Sequence, residues 1–165
     1  MVNVKAIFCL LCISWSTLAQ NQSSDSSSDL YRALPADAAP LHLVNSINWN
    51  LPLNQKAKTY KSAFEMALKS LSTGNTVILG NRFLVITPGC GSECQVVGLL
   101  NLETGVATLA DFTALVGVSF ISSSRLLIVD PPEALESVYG EGRPSYAVTT
   151  FYTIDKSGKL SEYKP

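Results

Sequence analysis

The sequence predicts an α+β fold, predominantly antiparallel β, as a single compact domain of about seven strands with one main helix packed on the sheet. Three observations predict it. Helical spacing of apolar residues is concentrated between Gln55 and Leu71. After Gly74 the period changes to that of strands and stays so. The links Glu103-Thr104-Gly105, Ser122-Ser123-Ser124 and Lys156-Ser157-Gly158 are short, polar and turn-forming, which makes successive strands antiparallel neighbours in a meander.

The N-terminus has the layout of a secretory signal peptide over residues 1–19: Lys5, the apolar run Ala6 to Trp15, then Thr17-Leu18-Ala19, with cleavage between Ala19 and Gln20. The apolar run falls short of the roughly 20 residues needed to span a bilayer, so no stable membrane insertion is expected after cleavage. Cys9 and Cys12 leave with the leader, since neither follows the Leu-small-small pattern of a lipoprotein signal. Export implies a periplasmic or secreted location. Residues 20–29 are Gln, Asn, Ser and Asp, a composition that reads as a disordered tether, with a glycosylation sequon at Asn21-Gln22-Ser23.

Residues 30–54 carry Pro35, Pro40 and Pro52 among apolar side chains and read as an extended arm packing over the domain, with a short helical turn near Leu30 to Leu34. Residues 55–165 form the helix and antiparallel β domain. In the helix, Ala57, Tyr60, Phe64, Ala67, Leu68 and Leu71 make an apolar stripe opposite Lys56, Lys58, Lys61, Glu65 and Lys69; Asn54 can cap its start and Gly74 follows its end. Strands are expected near Thr76–Thr87, Gln95–Leu102, Val106–Ala110, Leu115–Ile121, Arg125–Asp130, Ser145–Ile154 and Lys159–Tyr163. The consecutive apolar runs Phe83–Ile86 and Leu126–Val129 require cover on both faces, from the helix on one side and from the arm or a second layer of strands on the other. Ser145–Ile154 alternates and is expected to be half-exposed. Pro131 and Pro132 end a strand, and a short helix over Glu133–Tyr139 leads into a loop through Gly140, Gly142 and Pro144.

Without the leader, 11 basic residues stand against 13 acidic ones, a net charge of −2 that is not the balance of a nucleic-acid binder. Two cysteines, Cys90 and Cys94, remain in a Gly89-Cys90-Gly91-Ser92-Glu93-Cys94 turn, and in an oxidising compartment they form a small disulfide. The competing reading is a redox-active pair. Against it stand the Cys-x-x-x-Cys spacing, the lack of a following helix N-terminus and the neighbouring Glu93. His42, the single histidine, reads as a packed or surface side chain between Leu41 and Leu43; a metal site would need two more ligands and a serine triad would have to recruit it, while no Gly-x-Ser-x-Gly elbow, phosphate-binding loop or cofactor motif occurs, and Glu133, Glu136 and Glu141 read as helix-end and loop charges. Arg82 and Arg125 begin apolar strands; they are either snorkelling strand-end charges or a patch beside the cysteine turn for an acidic partner. Tyr139, Arg143 and Tyr146 around the late loop offer a second candidate recognition surface.

The run Arg82 to Cys94, Leu102-Glu103-Thr104-Gly105 and Ser124-Arg125-Leu126-Leu127-Ile128-Val129 resemble, in this order, the motifs of a group of exported, mostly uncharacterised bacterial proteins. That group has a Gly-Cys-Gly-x-x-Cys turn, an Asp-x-x-Thr-Gly hairpin and a Ser-Arg-Leu-Leu-x-Val strand, and the resemblance implies a compact β-rich domain. The chain departs from it at Leu79-Gly80-Asn81-Arg82-Phe83, where the group carries Asn-Phe-Ala-Gly-His-Tyr, and at Pro88, where it carries tryptophan. A weaker likeness is to periplasmic lysozyme inhibitors, whose Ser-Gly-x-Tyr loop has its nearest match at Ser157-Gly158-Lys159-Leu160, without the tyrosine. These readings lead to an exported, non-catalytic binding protein for a protein or cell-envelope ligand, with inhibition of a cell-wall-degrading enzyme as one form. The alternatives are a thiol-disulfide oxidoreductase, an unrecognised hydrolase, or a structural envelope protein.

Overall fold

The computed structural model describes residues 31, 35–36, 44, 46–49, 54–74 and 76–165. The expected leader and tether, and most of the arm with His42, lie outside the described residues. Within them the fold is α+β and mainly antiparallel, with nine strands where about seven were expected.

The amphipathic stripe forms a helical run in three parts: α1 (Asn54–Ala57), a 3-10 turn (Lys58–Tyr60) and α2 (Lys61–Leu71). It lies on a five-stranded sheet made of β1 (Ile78–Leu79), β2 (Phe83–Ile86), β3 (Gly89–Gly91), β4 (Cys94–Asn101) and β5 (Ala107–Ala114). Both β2 and β3 pair with β4 on one side, and β5 pairs with it on the other. A second sheet runs in chain order through β6 (Val118–Ser119), β7 (Leu126–Val129), β8 (Thr150–Ile154) and β9 (Leu160–Tyr163). Between β7 and β8 stands α3 (Pro132–Tyr139), whose first residue is a proline that loses no helical hydrogen bond there.

Because side chains alternate across a strand, the continuous apolar runs feed different cores. On β2, Leu84 and Ile86 face the helix, while Phe83 and Val85 face the second sheet. On β7, Leu127 and Val129 join that inter-sheet core, whereas Leu126 and Ile128 point outward, where Tyr31 of the arm covers them beside Ile121, Phe151 and Tyr163. The Tyr31 hydroxyl shares a hydrogen bond of 2.8 Å with Ser119 Oγ. Further along the arm, Val44, Ile47 and Trp49 pack into the helix–sheet core, and Trp49 meets the Phe64 ring edge-on at 6.1 Å. The arm therefore reaches both outer faces.

Strand boundaries differ from the sequence reading at several points: Gly89–Gly91, expected within the cysteine turn, is a strand of its own, and the strand expected over Leu115–Ile121 shortens to Val118–Ser119. The first expected strand is folded back at Gly80-Asn81, both at positive φ (58° and 56°), into the β1–β2 hairpin. The expected break after Ala110 is absent: β5 continues to Ala114 across a bulge, its residues Leu109 and Thr113 facing Gly98 and Val96 of β4. The chain turns instead at Leu115 and Val116, whose N–H groups donate to the carboxylate of Asp130 at 2.7 and 2.8 Å. Finally, residues 145–149 form no strand, since β7 ends at Val129, opposite Thr150, and offers them no ladder partner.

Helix and sheet interlock at one point. A Cβ on Gly98 would lie 2.7 Å from Ile86 Cγ1 and 2.8 Å from Phe64 Cζ, so the missing side chain is the notch in which the fully buried Phe64 ring sits. Gly98→Ala is expected to cost about 1–3 kcal/mol by overpacking. In denaturant titrations Phe64→Leu should cost less in the Gly98→Ala background than in the wild-type chain; additive losses would contradict the interlock.

Candidate functional site

The sequence-predicted residues separate to opposite ends of the sandwich. Between them runs β4, whose eight residues at about 3.4 Å each put Cys94 and Asn101 roughly 24 Å apart.

At the Asn101 end lie Arg82, Arg125, Ser157 and Gly158. Asn101 is buried and accepts from the N–H groups of Glu103 (2.9 Å) and Thr104 (3.2 Å), while its side-chain amide donates to the Lys156 carbonyl at 3.2 Å. The guanidinium of Arg82 is paired with Glu103. Arg125 donates from Nε to the Pro35 carbonyl at 3.2 Å and so pins the arm, which also bridges Ser124 at Pro35. Neither arginine lies beside the cysteine turn, contrary to the sharper sequence reading; each is engaged in holding loops. Ser157 and Gly158 belong to the β8–β9 turn, where Asp155 Oδ1 accepts from Ser157 N (2.8 Å), Ser157 Oγ (2.6 Å) and Lys159 N (3.0 Å). Gly158 is at φ 91°, and a Cβ there would come within 3.3 Å of the Phe83 ring. That turn is committed to the fold.

At the other end stands the disulfide. Cys90 and Cys94 are bonded, with Cα atoms 5.1 Å apart, across the β3–β4 turn. Gly91 and Glu93 both take positive φ there (147° and 50°). For glutamate this backbone is uncommon. The structure brings the late loop to meet it: Tyr146 Oη donates to Glu93 Oε2 at 3.3 Å. Tyr139, at the end of α3, turns a buried hydroxyl toward the Glu93 carboxylate, near enough to feel its charge but outside good hydrogen-bond geometry. Its pKa is raised, first by loss of hydration and then by the Glu93 carboxylate. Arg143 donates from Nε to the Ala147 carbonyl at 2.5 Å, which curls the loop, and Thr149 Oγ1 donates to the Asp130 carbonyl at 2.7 Å, which ties it to the end of β7.

Tyr139, Arg143 and Tyr146 thus share one end with Cys90 and Cys94. Sequence reasoning left three neighbours out. Glu93 entered it only as a charge near the thiols, not as the acceptor that joins two loops. Val138 (60% exposed) and Val148 (55%) accompany Tyr146 (62%) as large apolar side chains in water. The alternating pattern placed Val148 on a strand, where exposure of one face would have been ordinary. No group of three His, Cys, Asp or Glu among the described residues is arranged to hold a metal. No helix among them is long and apolar enough to cross a membrane. No family model, curated protein or solved structure matches the chain.

The Asp155 turn carries an acid-side signature. Its pKa lies below the ordinary 3.8, first through the Ser157 hydroxyl, with burial opposing, and then through the N–H groups of Lys159, Ser157 and Gly158. Near pH 4 the unfolded chain therefore binds more protons than the folded one. The contribution is complete above the unfolded pKa and is lost as pH falls through the lowered folded value. Asp155→Asn keeps the acceptor but not the charge, and in thermal melts between about pH 5 and 2 it should flatten this part of the decline. Identical slopes for the two chains would contradict the assignment.

Proposed function

We propose that the chain is an exported, non-catalytic binding protein of the cell envelope or periplasm, and that its recognition surface is the end carrying the Cys90–Cys94 turn and the late loop. The observation that supports it most is the joining of a disulfide-clamped turn to Tyr146 through Glu93, with Val138, Tyr146 and Val148 held exposed around it. Of the large hydrophobics that stand exposed among the described residues, only Met66 and Val77 lie elsewhere. Aromatic and arginine side chains on a rigid frame supply contact area at low ordering cost, and Tyr146 and Arg143 fit that role. The buried carboxylate at this end, Asp130, is held by the N–H groups of Leu115 and Val116.

Inhibition of a cell-wall-degrading enzyme remains one specific form of the proposal. In that form the inserting element is the cysteine end, because Ser157 and Gly158 are occupied by the Asp155 turn and the Phe83 ring. Undiminished lysozyme activity with excess purified protein would remove that form alone.

The wider proposal is tested by capture from envelope extract. Tyr146→Ala and Arg143→Ala should each weaken capture about tenfold or more while leaving the circular dichroism unchanged, in keeping with aromatic and arginine hot spots. Capture indifferent to both would overturn the assignment of this surface. Because Cys90–Cys94 closes so short a loop, its reduction should cost about 2 kcal/mol at most. The sheets should therefore persist under reductant while capture declines; global unfolding on reduction would instead make the bridge a prop of the whole domain.

A further inference from the structure

A groove of about 560 Å³ opens between the arm and α2, away from the cysteine end. That volume falls in the range of small-ligand sites, roughly 300–1,000 Å³. Its floor is apolar: Val44, Ile47 and Trp49 from the arm, Leu68 and Leu71 from the helix. All five pack against the helix–sheet core yet stay only partly buried, so the groove withholds cover from side chains that the core has already gathered.

The rim is charged and lies along one face of α2. Lys61 pairs with Glu65 at 3.6 Å, both side chains more than half exposed. Lys69, one turn beyond Glu65, lines the same rim and has no carboxylate partner among the described residues. Two ammonium groups against one carboxylate leave this edge positive. Of the two serines that line it, Ser46 comes from the arm, and the Ser72 hydroxyl is already spent on the Lys69 carbonyl at 2.6 Å, so the five apolar side chains offer no hydrogen-bond partners along their length. A sugar or a peptide backbone would lose its hydration there without replacement. An unbranched hydrocarbon would not.

We infer that this groove binds a fatty carboxylate, with its chain along Val44, Ile47, Trp49 and Leu68 and its head group against Lys69. This site stands independently of the surface proposed at the cysteine end.

Trp49 supplies the reporter, since the sequence holds one other tryptophan, Trp15. In the full chain carrying Trp15→Phe, indole emission is followed during titration with laurate, dodecyl maltoside and dodecyltrimethylammonium, each below its micelle concentration. Laurate should give a saturable blue shift, with the neutral and cationic amphiphiles about tenfold weaker or more, a difference of one head-group charge interaction. Lys69→Glu should weaken laurate about tenfold and leave the maltoside unchanged, with the melting temperature as the control for folding. Equal affinity for all three head groups, no loss in Lys69→Glu, or emission already blue-shifted and insensitive to laurate would overturn the inference; the last would mean that the chain itself closes the groove. Lys69→Glu should not affect capture from envelope extract, which separates this test from that of the cysteine end.

Discussion

The structure depends on burying the β2–β4 sheet on both faces. Its strands carry apolar side chains up and down alike, so neither the helix nor the second sheet can be removed without exposing a row of leucine, isoleucine, phenylalanine or valine. The contact with the helix is directional because Phe64 enters the space left at Gly98, which fixes both the position of α2 along the sheet and its distance from it. The inter-sheet contact is looser in shape but broader, and includes the stacked rings of Phe112 and Tyr152, 4.1 Å apart. The cysteine turn and the loops around Asn101 lie at the two ends of this block.

Much of the block was legible in the sequence, and the reason is periodicity. The stripe from Ala57 to Leu71 and the unbroken runs Phe83–Ile86 and Leu126–Val129 report burial directly, and each sits where it was expected. The misplaced boundaries have distinct causes. Gly80-Asn81 carried a recognisable primed-turn signal that the surrounding apolar residues masked. The length of β5 and the loss of strand at 145–149 could not be read locally, because a strand lasts only as long as its partner does. Pro131 and the positive φ of Asp130 decide where that partner stops.

The candidate sites were legible in a more uneven way. Pairing of Cys90 with Cys94 followed from spacing and expected export, and the tyrosines and arginine of the late loop were named from residue type alone. Their meeting with Glu93 was not readable, since no propensity scale places a glutamate at positive φ. Arg82 and Arg125 illustrate the reverse case. By residue type they suggest a binding patch, but Arg82 is paired with Glu103 and the Nε of Arg125 with the Pro35 carbonyl. The groove beside Trp49 comes from an arm without any repeat in its sequence, so its shape belongs to tertiary packing only.

The arm also imposes an order of events. Tyr31 comes early in the chain, yet the surface it seals is built from β7, β8 and Tyr163 on the last strand. During synthesis that ring must wait until almost every other residue has emerged, and contacts so distant in sequence slow the search for the native state. A nascent chain interrupted before β9 leaves Leu126 and Ile128 without part of their cover. For this molecule, emergence of β9 and docking of Tyr31 complete one and the same cluster, and any factor that shields the growing chain must act on it until then.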